Sequence, residues 1–338
     1  MKNATVSNLL YYDNVDDRLG PAERRFFGAG FRRSSHTTRQ VRITGGCIEA
    51  RAGVRYPADW SSKGGVDQLP HLSTVDVLVL GAQFAELAIA RSHGLDALRR
   101  GAMWLRDVRI RAGRVPLEEG LDDFAVSAVL VDTSDEDVVI PGFRVSTVEA
   151  QVGPLRISCV VEHPPSAGPE VVRDSLDENS LDKALGDPGA RFYGSGYRAF
   201  RTSVRDLQVD RTTSRATATA TVRAGDHHAG EGLDGFRQPS ASIIDCFVTG
   251  LQIGQILLYE LDAVDRAHSQ TLWMRQTTWE VASPAPVRPG PVAVRAALEN
   301  VRLLERAADD RWRTADIVTR MAGLSLRCSV AHRLGQAG

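Results

Sequence analysis

One long apolar segment occurs twice in this chain, 169 residues apart, and it limits the possible folds more than any other feature. Ser73 to Ala90 reads STVDVLVLGAQFAELAIA, and Ser242 to Leu258 reads SIIDCFVTGLQIGQILL. Ser73 pairs with Ser242, Asp76 with Asp245, Gly81 with Gly250 and Gln83 with Gln252. Other landmarks return in the same order. RFFGAGFR from Arg25 returns as RFYGSGYR from Arg191, 166 residues on. Trp104 returns as Trp273, and Cys159 and His163 return as Cys328 and His332. A period this long is no solenoid repeat; it implies two domain-sized halves of one ancestry.

Each copy reads as a helix. Ser three residues before Asp is close to a capping box, with Asp in place of Glu or Gln. Past the cap, apolar residues surround the axis, so the helix is expected to be buried on most sides. Gly81, Ala82 and Ala85 permit close approach to a sheet. Strands follow: Met103 to Arg111, Asp123 to Val131, and Phe143 to Glu162 with a turn near Gly153-Pro154. The second half mirrors them with Leu272 to Ala282, Pro291 to Leu304 and Trp312 to His332. Val41 to Ala52 reads as two strands joined at Gly45-Gly46, and Ser214 to Ala224 alternates cleanly as a strand. The class is α+β. In RFFGAGF, two glycines beside aromatics suggest a tight turn needing positive φ.

The expected organisation is an N-terminal lead over 1–24, a first half over 25–163, a linker over 164–190 and a second half over 191–334. The lead has no evident counterpart. The linker is rich in Pro and acids and reads as exposed, with a short helix around Ser180 to Leu185. A formal charge of −1 offers no broad attraction to nucleic acid or anionic membrane. No uninterrupted apolar run approaches the roughly 20 residues of a membrane span. The opening MKNATVSNLLYYDNVDD does not read as a secretory signal. Four cysteines without CxxC spacing fit a reducing cytoplasm.

A buried helix wrapped by antiparallel sheet, present twice in tandem, resembles a double hotdog: two antiparallel sheets, each around a long central helix. PSASIID (Pro239 to Asp245) is similar to the helix start of polyketide dehydratase hotdogs. RFFGAGF, with HLSTVD (His71 to Asp76) and Gln83 following, resembles the avirulence protein D family over nearly the whole chain. Members of that family make syringolide-type signals. The resemblance implies an enzyme that joins a β-ketoacyl thioester, on a carrier protein or CoA, to a sugar-derived hydroxy ketone, giving a syringolide- or butyrolactone-like product. A hotdog dehydratase or thioesterase is the alternative, and a catalytically silent acyl-binding protein is the reading from another class. No cofactor is called for. Monomer and homodimer both stay open.

Asp76 and Asp245 are the leading catalytic candidates. Helix N–H groups favour their anions and burial disfavours them, so either can be tuned as acid or base. Gln83 and Gln252 lie about two turns on, on the same helix face as their aspartates. An amide there can hold a thioester carbonyl; the competing reading is a glutamine bonded within the core. His71 precedes the first helix, and Ser240 stands at the equivalent second position. This asymmetry makes His71 a candidate general base for a hydroxyl nucleophile. His36 and the pair His227-His228 are weaker candidates. Cys159/His163 and Cys328/His332 read as core cysteines with edge histidines, and two ligands per half are too few for a metal.

Overall fold

The structure is a computed structural model that describes residues 8–44, 46–166, 175–225, 230–286, 290–307 and 310–334. His227 and His228 lie outside the described residues.

Both repeated segments form helices of 20 residues, α2 (Thr74–His93) and α5 (Ile243–Asp262). Each starts with a complete capping box. The Ser73 hydroxyl accepts from the Asp76 N–H, and the Asp76 carboxylate accepts from the Ser73 N–H, both at 3.2 Å. Ser242 and Asp245 repeat this. Capping of this kind satisfies donors that have no partner within the helix.

The remaining helices are short: α1 (Asp16–Leu19), α3 (Ala97–Gly101) and α4 (Leu181–Leu185). The first half holds β2 (Ser35–Thr44), β3 (Cys47–Arg55), β6 (Trp104–Arg111), β7 (Phe124–Ser134), β8 (Arg144–Val152) and β9 (Leu155–His163). The second holds β11 (Arg201–Asp210), β12 (Arg215–Arg223), β13 (Trp273–Val281), β14 (Pro291–Ala307), β15 (Asp310–Met321) and β16 (Leu324–Arg333). β4 (Ser62–Lys63) and β5 (Val66–Asp67) form a separate hairpin. Two more strands, β1 (Leu9–Asn14) and β10 (Ser175–Glu178), lie ahead of the two RF(F/Y)G motifs.

Among the described residues the main sheet is one, not two. Its 14 strands run β1-β11-β12-β14-β15-β16-β13-β6-β9-β8-β7-β3-β2-β10. Read from either end, each strand meets its repeat partner at the mirrored place. The halves join where β13 and β6 pair antiparallel, from Gln276↔Arg111 to Glu280↔Asp107. Fusing the two inner edges satisfies backbone groups that each separate sheet would leave exposed. α2 packs on β3 and β6–β9, and α5 on β11, β12 and β14–β16. The glycines let them sit close: a Cβ on Gly81 would lie 2.6 Å from Ile157 of β9, and one on Gly254 2.5 Å from Ile317 of β15. α5 is long and apolar enough to cross a membrane by length and composition alone, but most of it is buried inside the protein.

The lead does have a counterpart. Asp16, Leu19 and Gly20 match Asp182, Leu185 and Gly186 at the 166-residue spacing of the motif that follows. Thus β1-α1 is repeated as β10-α4, within the segment expected to be an exposed linker. The two units are exchanged: β1 pairs with β11 of the second half, and β10 with β2 of the first. Leu19 and Leu185 are both buried, each contributing about 2 kcal/mol by area removed from water. The exchange continues in the motif. Arg25 donates to Gln252 on α5 at 2.8 Å, and Arg191 donates to Gln83 on α2 at 3.2 Å. Arg25 also pairs with Asp16, and Arg191 with Asp182. The motif glycines serve close approach, not positive φ. A Cβ on Gly28 would collide with the Ala22 carbonyl, and one on Gly194 with that of Pro188.

Candidate functional site

Asp76 is fully buried, and both its oxygens are engaged. Oδ2 accepts from the Ser73 hydroxyl at 2.5 Å and from the Tyr56 hydroxyl. Oδ1 accepts from His36 Nε2 at 2.8 Å and faces the Ser34 hydroxyl at 3.3 Å. Arg198, from the second half, points NH2 at His36 Nδ1, which leaves Nε2 as the protonated nitrogen. Burial pushes the Asp76 pKa up, but His36, Ser73 and Tyr56 outweigh it, so the carboxyl lies below its ordinary 3.8. A carboxylate engaged on both oxygens holds local structure.

What it holds is the approach to α2. The Tyr56 hydroxyl also accepts from the Ser73 N–H and lies 2.9 Å from the His71 carbonyl oxygen. Asp76 and Tyr56 therefore fix the loop that carries His71. Asp245 differs. Its Oδ1 accepts from Thr202 at 2.5 Å, in the place that His36 takes in the first half. Gln83 and Gln252 do not reach a substrate cavity either. Each amide donates to the carbonyl four residues back and accepts from the exchanged arginine. They are core latches between the halves.

His71 is the candidate that the fold places at a cavity. Its ring lies between two indoles, 5.5 Å from Trp60 and 5.6 Å from Trp273. Burial lowers its pKa below the ordinary 6.5, against the opposing pull of the Leu69 backbone, Glu118 and Asp76. The imidazole is thus neutral at neutral pH and available as a base. It borders two neighbouring cavities, which also share Ser73, Leu272, Trp273 and Met274. The smaller, about 330 Å³, carries Arg25, Lys63, Arg266 and Glu118 on its walls. The larger, about 670 Å³, is lined by Leu72, Val115, Leu155, Leu304 and Trp312 among others. Of the first N–H groups of α2, that of Asp76 is taken by the Ser73 hydroxyl, while those of Thr74 and Val75 have no acceptor further back in the helix; Ser73 and Thr74 lie at this junction.

The equivalent place at α5 is filled. Trp104 and Tyr193 are buried, whereas their partners Trp273 and Phe27 are half-buried and line the cavity. Tyr193 donates to Asp234 Oδ2 at 2.8 Å, and the Leu105 N–H donates to Oδ1. Ser240, at the place of His71, is buried. The hydroxyl that Tyr193 has and Phe27 lacks was a legible sign of this closure. Trp60, Lys63, Glu118 and Arg266 carried no motif and were missed.

The cysteine–histidine pairs are core. Burial pushes the Cys159 and Cys328 thiols up to about 12, which removes them as nucleophiles. His163 Nε2 bonds the Ser146 hydroxyl at 2.8 Å, Nδ1 bonds the Pro164 carbonyl, and the ring lies 4.7 Å from that of His93. His332 bonds Asp262 instead. Among the described residues no three His, Cys, Asp or Glu side chains gather as a metal would need.

Burial, aided by His93 and Arg144, brings His163 down to about 4 despite its bond to the Pro164 carbonyl. An unfolded histidine titrates near 6.5, so between these values the unfolded chain binds the extra proton. Stability attributable to His163 is therefore complete above about pH 6.5 and falls by about 3 kcal/mol as the pH drops to 4. Urea denaturation of wild type and His163→Gln at pH 7 and pH 5 measures this. A wild-type loss on acidification no larger than the variant's rules it out.

Solved structures similar to the chain share little sequence with it. An acyl-ACP thioesterase from Bacteroides thetaiotaomicron is 11% identical, with TM-score 0.38 over 78% of this chain and 92% of that one. The pyran synthase domain from module nine of the sorangicin pathway is 12% identical, with TM-score 0.36 over 89% and 98%. A MaoC-like dehydratase is 10% identical, with TM-score 0.34 over 82% and 89%. No curated protein sequence matches the chain. The duplicated RF(F/Y)G motif, the two capped helices and the His71 loop all fall within residues 10–335, which match the family model described as Pseudomonas avirulence D protein (AvrD), and the chain belongs to that family.

Proposed function

We propose that the protein is an acyl-thioester enzyme that transfers a β-ketoacyl group to a hydroxyl of a small, sugar-derived hydroxy ketone. The observation that carries this reading is the meeting of two cavities at His71, beside the start of α2. The acyl chain occupies the larger cavity, along Leu72, Val115, Leu155 and Leu304, and the hydroxy ketone the smaller, with the thioester carbonyl at the junction. His71 takes the hydroxyl proton as the oxygen adds to the carbonyl carbon. The carbon–sulfur bond then breaks, and the thiol leaves with that proton. The uncapped Thr74 N–H at the start of α2 faces the developing oxyanion. Asp76 and His36 act as positioning residues through Tyr56.

The test is mass spectrometry of purified protein given a β-ketoacyl carrier-protein thioester and three- to five-carbon hydroxy ketones. An acyl–ketose adduct is expected. Free β-keto acid without adduct would move the assignment to thioesterase, and loss of water from a β-hydroxyacyl thioester to dehydratase. Acyl binding without turnover of either kind would leave a binding protein.

A further inference from the structure

Two cations on the walls of the smaller cavity, Lys63 and Arg266, have no carboxylate in contact among the described residues. Arg25 is accounted for by Asp16 and Gln252. Lys63 is not: among the described residues its ammonium reaches neutral oxygens alone, the Gln270 carbonyl at 2.9 Å, Ser269 Oγ at 3.3 Å and the Ser269 carbonyl at 3.5 Å. Among the described residues the Arg266 guanidinium makes no ion pair or side-chain hydrogen bond. Asp67 and Glu118 share the cavity walls, and neither is ion-paired to Lys63 or Arg266. The two cations come from opposite halves. Lys63 lies on the β4–β5 hairpin, and Arg266 follows α5. The hairpin turn packs on this loop, since a Cβ on Gly64 would lie 3.1 Å from the Ala267 carbonyl oxygen. Burial, and then Arg266, brings the Lys63 ammonium down to about 8. Burial also lowers Arg266. Two like charges near one another, with no carboxylate in direct contact, disfavour one another unless an anion enters between them.

We infer that Lys63 and Arg266 form an anion subsite in the smaller cavity that receives a phosphate ester on one of the two substrates. A phosphate dianion matches two unpaired cations, and a guanidinium presents parallel donors to its oxygens. The phosphate belongs either to the hydroxy ketone or to the pantetheine arm of the thioester. The aromatic walls supply the remaining contact, with Trp60 and Trp273 on either side of His71. The inference rests on the reading of this cavity as a substrate site.

Quenching of tryptophan fluorescence in the full chain tests it, with two pairs of probes. One pair is a five-carbon ketose and its terminal phosphate; the other is pantetheine and 4′-phosphopantetheine. At least one phosphorylated probe is expected to bind about tenfold more tightly than its unphosphorylated partner. That preference is expected to disappear in Lys63→Met and in Arg266→Gln, two variants on separate elements, so a folding defect in one leaves the other informative. Preference in the first pair assigns the phosphate to the ketose, and preference in the second assigns it to the thioester. Equal binding within both pairs overturns the subsite, and so does a preference that survives in both variants. A phosphate preference without any turnover counts against the proposed reaction and leaves the subsite standing. Turnover without the preference does the reverse.

Discussion

His71→Ala is expected to lower turnover by about 10²- to 10⁴-fold, the usual contribution of a positioned general base, while acyl binding is retained. The ring contacts the two flanking indoles and the Leu69 backbone, so its removal costs one local hydrogen bond and leaves the helix cap at Ser73 in place. The wild-type pH profile carries a second signature. Burial holds His71 below the ordinary 6.5, so the acid limb of kcat/KM should lie below that value and vanish in the variant. Asp76→Asn should act differently. It unsettles Tyr56 and the His71 carbonyl, which lowers kcat and protein stability together. Steady-state kinetics from pH 5 to 8 would separate the cases. An alanine variant with wild-type kcat and an unchanged acid limb removes His71 from the chemistry.

Arg191→Met is expected to cost about 3 kcal/mol of stability, as truncation of one partner in a buried charged network does. Arg191 is 1% exposed. It donates to Gln83 on α2, to Asp182 on α4 and to the Gly186 carbonyl. Methionine fills much of the volume but leaves the Gln83 oxygen without its donor and Glu86 without a nearby cation that lowers its pKa. Lysine should recover only part of the loss, because it cannot present several donors in a fixed plane. Urea denaturation of wild type, Arg191→Met and Arg191→Lys measures this. A methionine variant within about 1 kcal/mol of wild type would mean that the exchanged arginine is not a latch.

The sequence by itself determined the duplication, the two capped apolar helices, the antiparallel strands and the α+β class. These follow from local chemistry: Ser and Asp three apart cap a helix wherever they fall, and alternation marks a strand face. It also held signals that were passed over. Asp16, Leu19 and Gly20 recur as Asp182, Leu185 and Gly186, and Tyr193 replaces Phe27. Only the tertiary structure decided that the sheet is continuous, because strand-edge pairing between β6 and β13 depends on two segments far apart in the chain. It alone decided that the lead units are exchanged, and that Gln83 and Gln252 face arginines from the opposite half. It also showed what surrounds the aspartates. A carboxylate at a helix start looks the same in sequence whether solvent, substrate or a ring of buried donors surrounds it. Asp76 is buried against His36, Ser73 and Tyr56, whereas His71 borders unfilled space, and the roles proposed for the two rest on that difference.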